Sequence, residues 1–299
     1  MCVMPHSLLD RMKSWRRTQW CAALAAVIAL ASLLDAPSAQ VSAQTPAQAQ
    51  PSSPPRRVLF IGNSYTYVNN LPEMLRAMAA ARGKTLDVAM ATTGGWKLSD
   101  HWTTADSDAH RLLRDRKWDV VVLQEQSTLG STQMTNGVAR VGADDQFQRY
   151  AKMWQEEIHR AGTTPAFYLT WAKKGAPDDQ AVLDRAYIGA ARAAHGLLVP
   201  VGRAWQGARE HHASIELFQQ DGSHPSPAGT YLAACTFFAA FFDSSPIGLP
   251  ATVTGSLIDQ QTARPLSNRS ETLVNLSAND AAALQREAWA AWQSVKQAP

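Results

Sequence analysis

Two short segments hold side chains that could do chemistry together. IGNSYTYVNN starts at Ile61 and carries Ser64; FQQDGSHPSPAG starts at Phe218 and carries Asp221 three residues before His224. A serine hydroxyl is a weak nucleophile until a neighbouring base takes its proton. A histidine can be that base, and a carboxylate on its other ring nitrogen sets the tautomer and stabilises the imidazolium. Each segment also has a plainer reading. Ser64 could bond local backbone, as loop serines commonly do, and Asp221 to His224 could be a polar turn entering a helix.

The elements that must position these residues are legible as alternating patterns. RVLFIG (57–62), LDVAMAT (86–92), DVVVLQ (119–124), PAFYLTWA (165–172) and LLVPVG (197–202) read as short apolar strands. Between them lie helical periodicities: Leu71, Met74, Leu75 and Met78; then Phe147, Tyr150, Trp154 and Ile158; then a pattern near 178–194. Apolar strands alternating with amphipathic helices predict a parallel sheet covered on both faces. The expected fold is α/β: a three-layer α/β/α, flavodoxin-like, doubly wound sheet of about five strands. Ligands in such folds sit beyond the carboxyl ends of the strands. Ser64 falls at the end of the first strand, where Gly62 would let the chain turn sharply. Ser226-Pro227 start an apolar helix with Leu232, Phe237, Phe238, Phe241 and Phe242, which would be buried and hold the His224 loop at its start.

Together the two segments resemble the SGNH hydrolases, or GDSL esterases and lipases. The family places its serine in a Gly-Asp-Ser-like block after strand one and an Asp-x-x-His block near the domain's end. Gly62-Asn63-Ser64 and Asp221-x-x-His224 are similar to these over residues 57–245, with Asn63 where the family has Asp. The resemblance implies a Ser64–His224–Asp221 triad performing acyl transfer. It implies an oxyanion hole from Ser64 N–H, from Gly95 in ATTGGW (91–96), with Gly94 as alternative, and from Gln124. The family's Gly-x-Asn-Asp block is replaced here by LQEQS (123–127). That segment looks more like the Gln-Gly-Glu variant of some carbohydrate esterases, and Gln126 is the fallback donor because it shares strand parity with Gln124. Trp96, Trp171 and Trp205 follow or end strands and could line a substrate cleft. No cofactor or metal is required; His101, His110, His211 and His212 lack ligand spacing.

Residues 1–43 read as a signal peptide: Arg11, Lys13, Arg16 and Arg17 precede an apolar run of 14 residues, Cys21–Leu34, and Val41-Ser42-Ala43 offers a cleavage site. A membrane span needs about 20 residues, so no stable insertion is expected after cleavage. Residues 44–56, rich in Pro, Gln and Ser, read as a disordered linker. Beyond residue 43 there remain 24 basic and 23 acidic residues, which leaves no electrostatic footprint for nucleic acid. Cys235 alone remains there, as a buried core residue. The hydrolase domain is expected over 57–245, with a C-terminal extension over 246–299 whose helix packs on it. The expectation is an exported enzyme, periplasmic or secreted, that hydrolyses a short acyl ester, acetyl by preference, on a small molecule or a carbohydrate. An O-acyltransferase on the same site is the alternative within the enzyme class. A carbohydrate- or ligand-binding module with a degenerate site is the alternative outside it.

Overall fold

The computed structural model describes residues 57–135, 138–141, 144–266 and 269–297. The signal peptide and linker expected over 1–56 lie outside the described residues. Arg57–Gly62 forms β1, and Ser64–Tyr67 forms one helical turn, α1, leading through a 3-10 turn at Val68–Asn70 into α2 (Leu71–Ala81). Next come β2 (Asp87–Thr92), the short helices α3 (Leu98–Thr103) and α4 (Asp108–Asp115), and β3 (Val120–Leu123). An antiparallel pair, β4 (Thr132–Thr135) and β5 (Val138–Val141), precedes α5 (Asp144–Arg160). The alternation is completed by β6 (Thr164–Tyr168), α6 (Gln180–Ala193), β7 (Leu197–Val199), α7 (Val201–His211) and α8 (Pro227–Phe242). A second antiparallel pair, β8 (Thr252–Gly255) and β9 (Glu271–Asn275), leads into α9 (Ala278–Lys296).

The five main strands are all parallel and run in the order β2-β1-β3-β6-β7. This is the expected doubly wound order. β1 and β3 are central, and their near-continuous apolar runs, Val58–Ile61 and Val120–Leu123, are buried on both faces. α2, α7, α8 and α9 pack together, as do α3, α5 and α6, which makes the three layers. Apolar residues surround α8 almost completely and it is buried along nearly its whole length, including Cys235, whose thiol burial pushes far above its usual pKa. α9 starts at an N-cap, Ser277, and buries Ala283, Leu284, Ala288 and Trp292 against α8 and α7.

Two strands end three or more residues earlier than their sequence patterns suggest. β6 stops at Tyr168 rather than Ala172, and β7 stops at Val199. Pro200 has no N–H to continue a ladder, and its fixed φ suits a helix start. α7 therefore begins at Val201, with Val201, Ala204, Trp205 and Ala208 on its buried face.

Candidate active site

Ser64 sits where the fold theory of open sheets expects a ligand, at the carboxyl end of central β1. Asn63 is extended and caps α1, its Oδ1 accepting from Tyr65 N–H at 3.1 Å. Gly62 is needed for space rather than for a left-handed turn: a Cβ there would lie 2.5 Å from Gln124 Oε1 and 2.8 Å from Thr66 Oγ1. Its carbonyl accepts from His101 Nε2 at 2.7 Å, and burial holds that imidazole below its usual pKa.

His224 comes from the loop before α8. With its proton on Nδ1 it donates to Asp221 Oδ2, while Nε2 accepts from Ser64 Oγ at 2.9 Å. The structure thus brings Ser64, His224 and Asp221 into one hydrogen-bonded line. Burial pulls the Asp221 carboxyl upward, but hydrogen bonds from the His224 ring and from the Ser223 and His224 N–H groups outweigh it and leave it below its usual pKa. The loop is held on several sides. Its His224 carbonyl accepts from Gln219 N–H (2.8 Å), Gly222 carbonyl from Lys174 N–H (2.8 Å), Ser223 carbonyl from Trp171 Nε1 (3.0 Å) and Pro225 carbonyl from Asn69 Nδ2 (3.1 Å). Ser226 caps α8 by accepting from Gly229 N–H.

Thr93 to Trp96 make a tight turn closed by Trp96 N–H to Thr93 carbonyl, with Gly95 at φ +75°, a conformation that favours glycine. Asn63 Nδ2 donates to Trp96 carbonyl at 2.8 Å and lashes this turn to the serine strand end. An aspartate could not make that bond, which is a physical reason for Asn at position 63. Among the described residues, the N–H groups of Ser64 and Gly95 make no hydrogen bond, and Gly94 and Gly95 are exposed.

Gln124 departs from its expected role. It is 0% exposed and its amide is fully engaged. Oε1 accepts from Asn63 N–H and Thr66 Oγ1, and Nε2 donates to Asn63 Oδ1 and Glu125 carbonyl. No N–H remains for an oxyanion, so Gln124 organises the serine turn instead. Gln126, the fallback, is half-buried. Its Oε1 accepts from Thr128 N–H and hydroxyl, and its Nε2 makes only a long 3.3 Å bond to Ser127 Oγ. Ser127 in turn lies beside the Tyr65 hydroxyl, which bonds Ser223 Oγ at 2.7 Å.

Two of the three tryptophans also depart from expectation. Trp171 and Trp205 are 2% and 1% exposed and stack on each other at 3.9 Å, so neither presents an open ring face for stacking a substrate. Tyr65 stacks on Trp171 at 4.5 Å and meets the His224 ring edge-on. This aromatic column buttresses the His224 loop. Trp205 borders a separate cavity of about 300 Å³ with Asp178, Gln206 and Arg209. Trp96 is half-buried and packs its edge on His101. The roles of Asn63, Tyr65, His101 and Glu125 come from contacts distant in sequence, which their local sequence does not signal.

No family model and no curated protein matches the chain. Solved structures do match. A protein from Slackia heliotrinireducens, named as a candidate SGNH hydrolase, is 28% identical over 62% of this chain and 97% of its own, with TM-score 0.52. A DUF4886 family protein from Bacteroides uniformis is 20% identical over 81% of this chain and 96% of its own, with TM-score 0.59. An acetyl xylan esterase is 15% identical over 62% of this chain and 98% of its own, with TM-score 0.50.

Proposed function

On the SGNH hydrolase fold that the chain shares with these structures, we propose a serine esterase that hydrolyses a short acyl ester, acetyl by preference, and works after export. The observation that carries the reading is the line Asp221–His224–Ser64 at the end of β1. His224 Nε2 takes the Ser64 proton as Oγ attacks the ester carbonyl. The negative charge that develops on the carbonyl oxygen is met by the Ser64 and Gly95 N–H groups, with Gln126 Nε2 as a third donor; removing one such donor typically costs about 100- to 1000-fold in rate. The tetrahedral intermediate collapses, His224 protonates the leaving alcohol, and the acyl group stays on Ser64. Water, deprotonated by His224, then attacks the acyl-enzyme and releases the acid.

Export rests on the amino-terminal sequence pattern. Among the described residues no helix is long and apolar enough to cross a membrane. A carbohydrate as the alcohol rests on the LQEQS block, since Trp171 and Trp205 do not present a stacking surface.

The test is hydrolysis of p-nitrophenyl acetate by the wild-type chain and by folded Ser64→Ala. The expected result is turnover in the first and a loss of at least about a thousandfold in the second. Equal rates would remove Ser64 as nucleophile. Acyl transfer to added alcohols in preference to water would assign a transferase, and ligand binding with no turnover would assign a binding module.

A further inference from the structure

Glu125 is a buried acid that the acyl-transfer steps do not use. It is 6% exposed and lies immediately after β3. Its Oε1 accepts from Gln126 N–H at 2.7 Å, and its Oε2 accepts from Leu98 N–H at 3.3 Å. Leu98 opens α3, three residues after Gly95. One carboxylate therefore spans the two loops that carry the Gly95 and Gln126 donors. The rest of the residue is fixed as well: its N–H donates to Tyr187 Oη at 3.0 Å, and its carbonyl accepts from Gln124 Nε2. Trp154 Nε1 pins the Leu98 carbonyl at 3.0 Å, so α3 is held on its other side too.

We propose that Glu125 is a positioning residue: in its ionised form it bridges the Gly95 and Gln126 loops and sets the spacing of the oxyanion donors, so that protonating it loosens the hole. This rests on the esterase reading of the same site. A carboxylate can accept both N–H bonds at full strength, whereas a neutral carboxyl keeps one good acceptor and turns the other oxygen into a donor. The 3.3 Å bond to Leu98 is the one expected to give way.

The groups facing the carboxyl are Lys97 and Asp100 at the start of α3 and the Tyr187 hydroxyl from α6. Burial dominates and pushes the Glu125 carboxyl up to about 7, against the opposing pull of the two backbone N–H groups and Lys97, with Asp100 adding to the rise. The bridge thus changes state near neutral pH.

Two measurements on the full chain test this. The first is the pH profile of kcat for p-nitrophenyl acetate in wild type and Glu125→Gln. At pH 8 the variant should lose about tenfold in kcat, with KM within about twofold of wild type, because displacement of positioned groups by a fraction of an ångström costs transition-state rather than ground-state binding. The acid limb of the wild-type profile should contain an ionisation near 7 that is missing from the variant. The second measurement needs no turnover: the backbone amide resonances of Leu98 and Gln126, followed by NMR in Ser64→Ala, should move together with a midpoint near 7. Both movements should vanish in Glu125→Gln made in the same background. Amides that do not titrate together, or a variant with wild-type kcat at pH 8, overturn the bridge. Absence of Ser64-dependent turnover in the wild-type chain overturns the esterase reading, while the amide titration still decides whether the bridge exists.

Discussion

At the scale of single residues, the site is organised by a reciprocal pair of amides. Asn63 and Gln124 exchange bonds in both directions, and Asn63 also reaches Trp96 carbonyl. Asn63→Asp tests that arrangement. The carboxylate would still accept from Tyr65 N–H and Gln124 Nε2 but would face Trp96 carbonyl with no proton to offer. The expected outcome is a loss of about 1–3 kcal/mol in stability, the cost of a buried acceptor left unpaired. The Gly95 turn should also loosen, which lowers kcat for p-nitrophenyl acetate about tenfold with little change in KM. Wild-type kcat and thermal midpoint in the variant would show that the Trp96 bond holds nothing. These roles also mark what single residues disclose in a sequence. Asp221 and His224 are three apart, so their pairing is legible from spacing. The engagement of Gln124 depends on Asn63, 61 residues away, and nothing local to LQEQS signals that its first glutamine is used up. Its second glutamine was visible only through strand parity.

Among the elements, position follows from which end of a strand or helix each loop leaves. The parallel strands were legible because burial on both faces demands unbroken apolar runs, as in Val120–Leu123. α7 was hidden because LLVPVG reads as one apolar stretch, and only the Pro200 punctuation followed by Val201, Ala204, Trp205 and Ala208 separates strand from helix. α8 was legible from Ser226-Pro227, and its cap is what holds the His224 loop to a rigid body. Ser226 Oγ accepts from Gly229 N–H and donates to Glu216 carbonyl. Ser226→Ala should therefore cost about 1–2 kcal/mol of stability, read as a lower urea midpoint at unchanged m-value. With Trp171, Asn69 and Lys174 still bonding the loop, kcat should fall by less than about tenfold. A larger loss would mean the cap, rather than the aromatic column, fixes His224.

For the whole molecule, the buried Glu125 makes stability depend on pH. Its carboxyl is raised from 4.5 to about 7 on folding. Between those values the folded chain binds more protons at this site than the unfolded chain, so this contribution is fully present below about 4.5 and is lost as pH rises through about 7. At 1.36 kcal/mol per pH unit the full loss is about 3 kcal/mol. Glutamine at position 125 stays neutral at every pH and removes that dependence, while titrating groups remote from position 125 are shared by the two chains and cancel in the difference. Urea unfolding of wild type and Glu125→Gln should thus give a stability difference that shifts by about 3 kcal/mol in favour of the variant between pH 4 and pH 8.5. A difference that stays constant across that range would mean the carboxyl titrates alike in the folded and unfolded chain, and the burial argument would fail. If the shift is found together with the drop in kcat, the charged form of Glu125 is the one that destabilises the fold and the one that spans the oxyanion loops. Retaining an acid at this buried position then costs stability near neutral pH, and what offsets that cost is the accurate placement of the donors around Ser64.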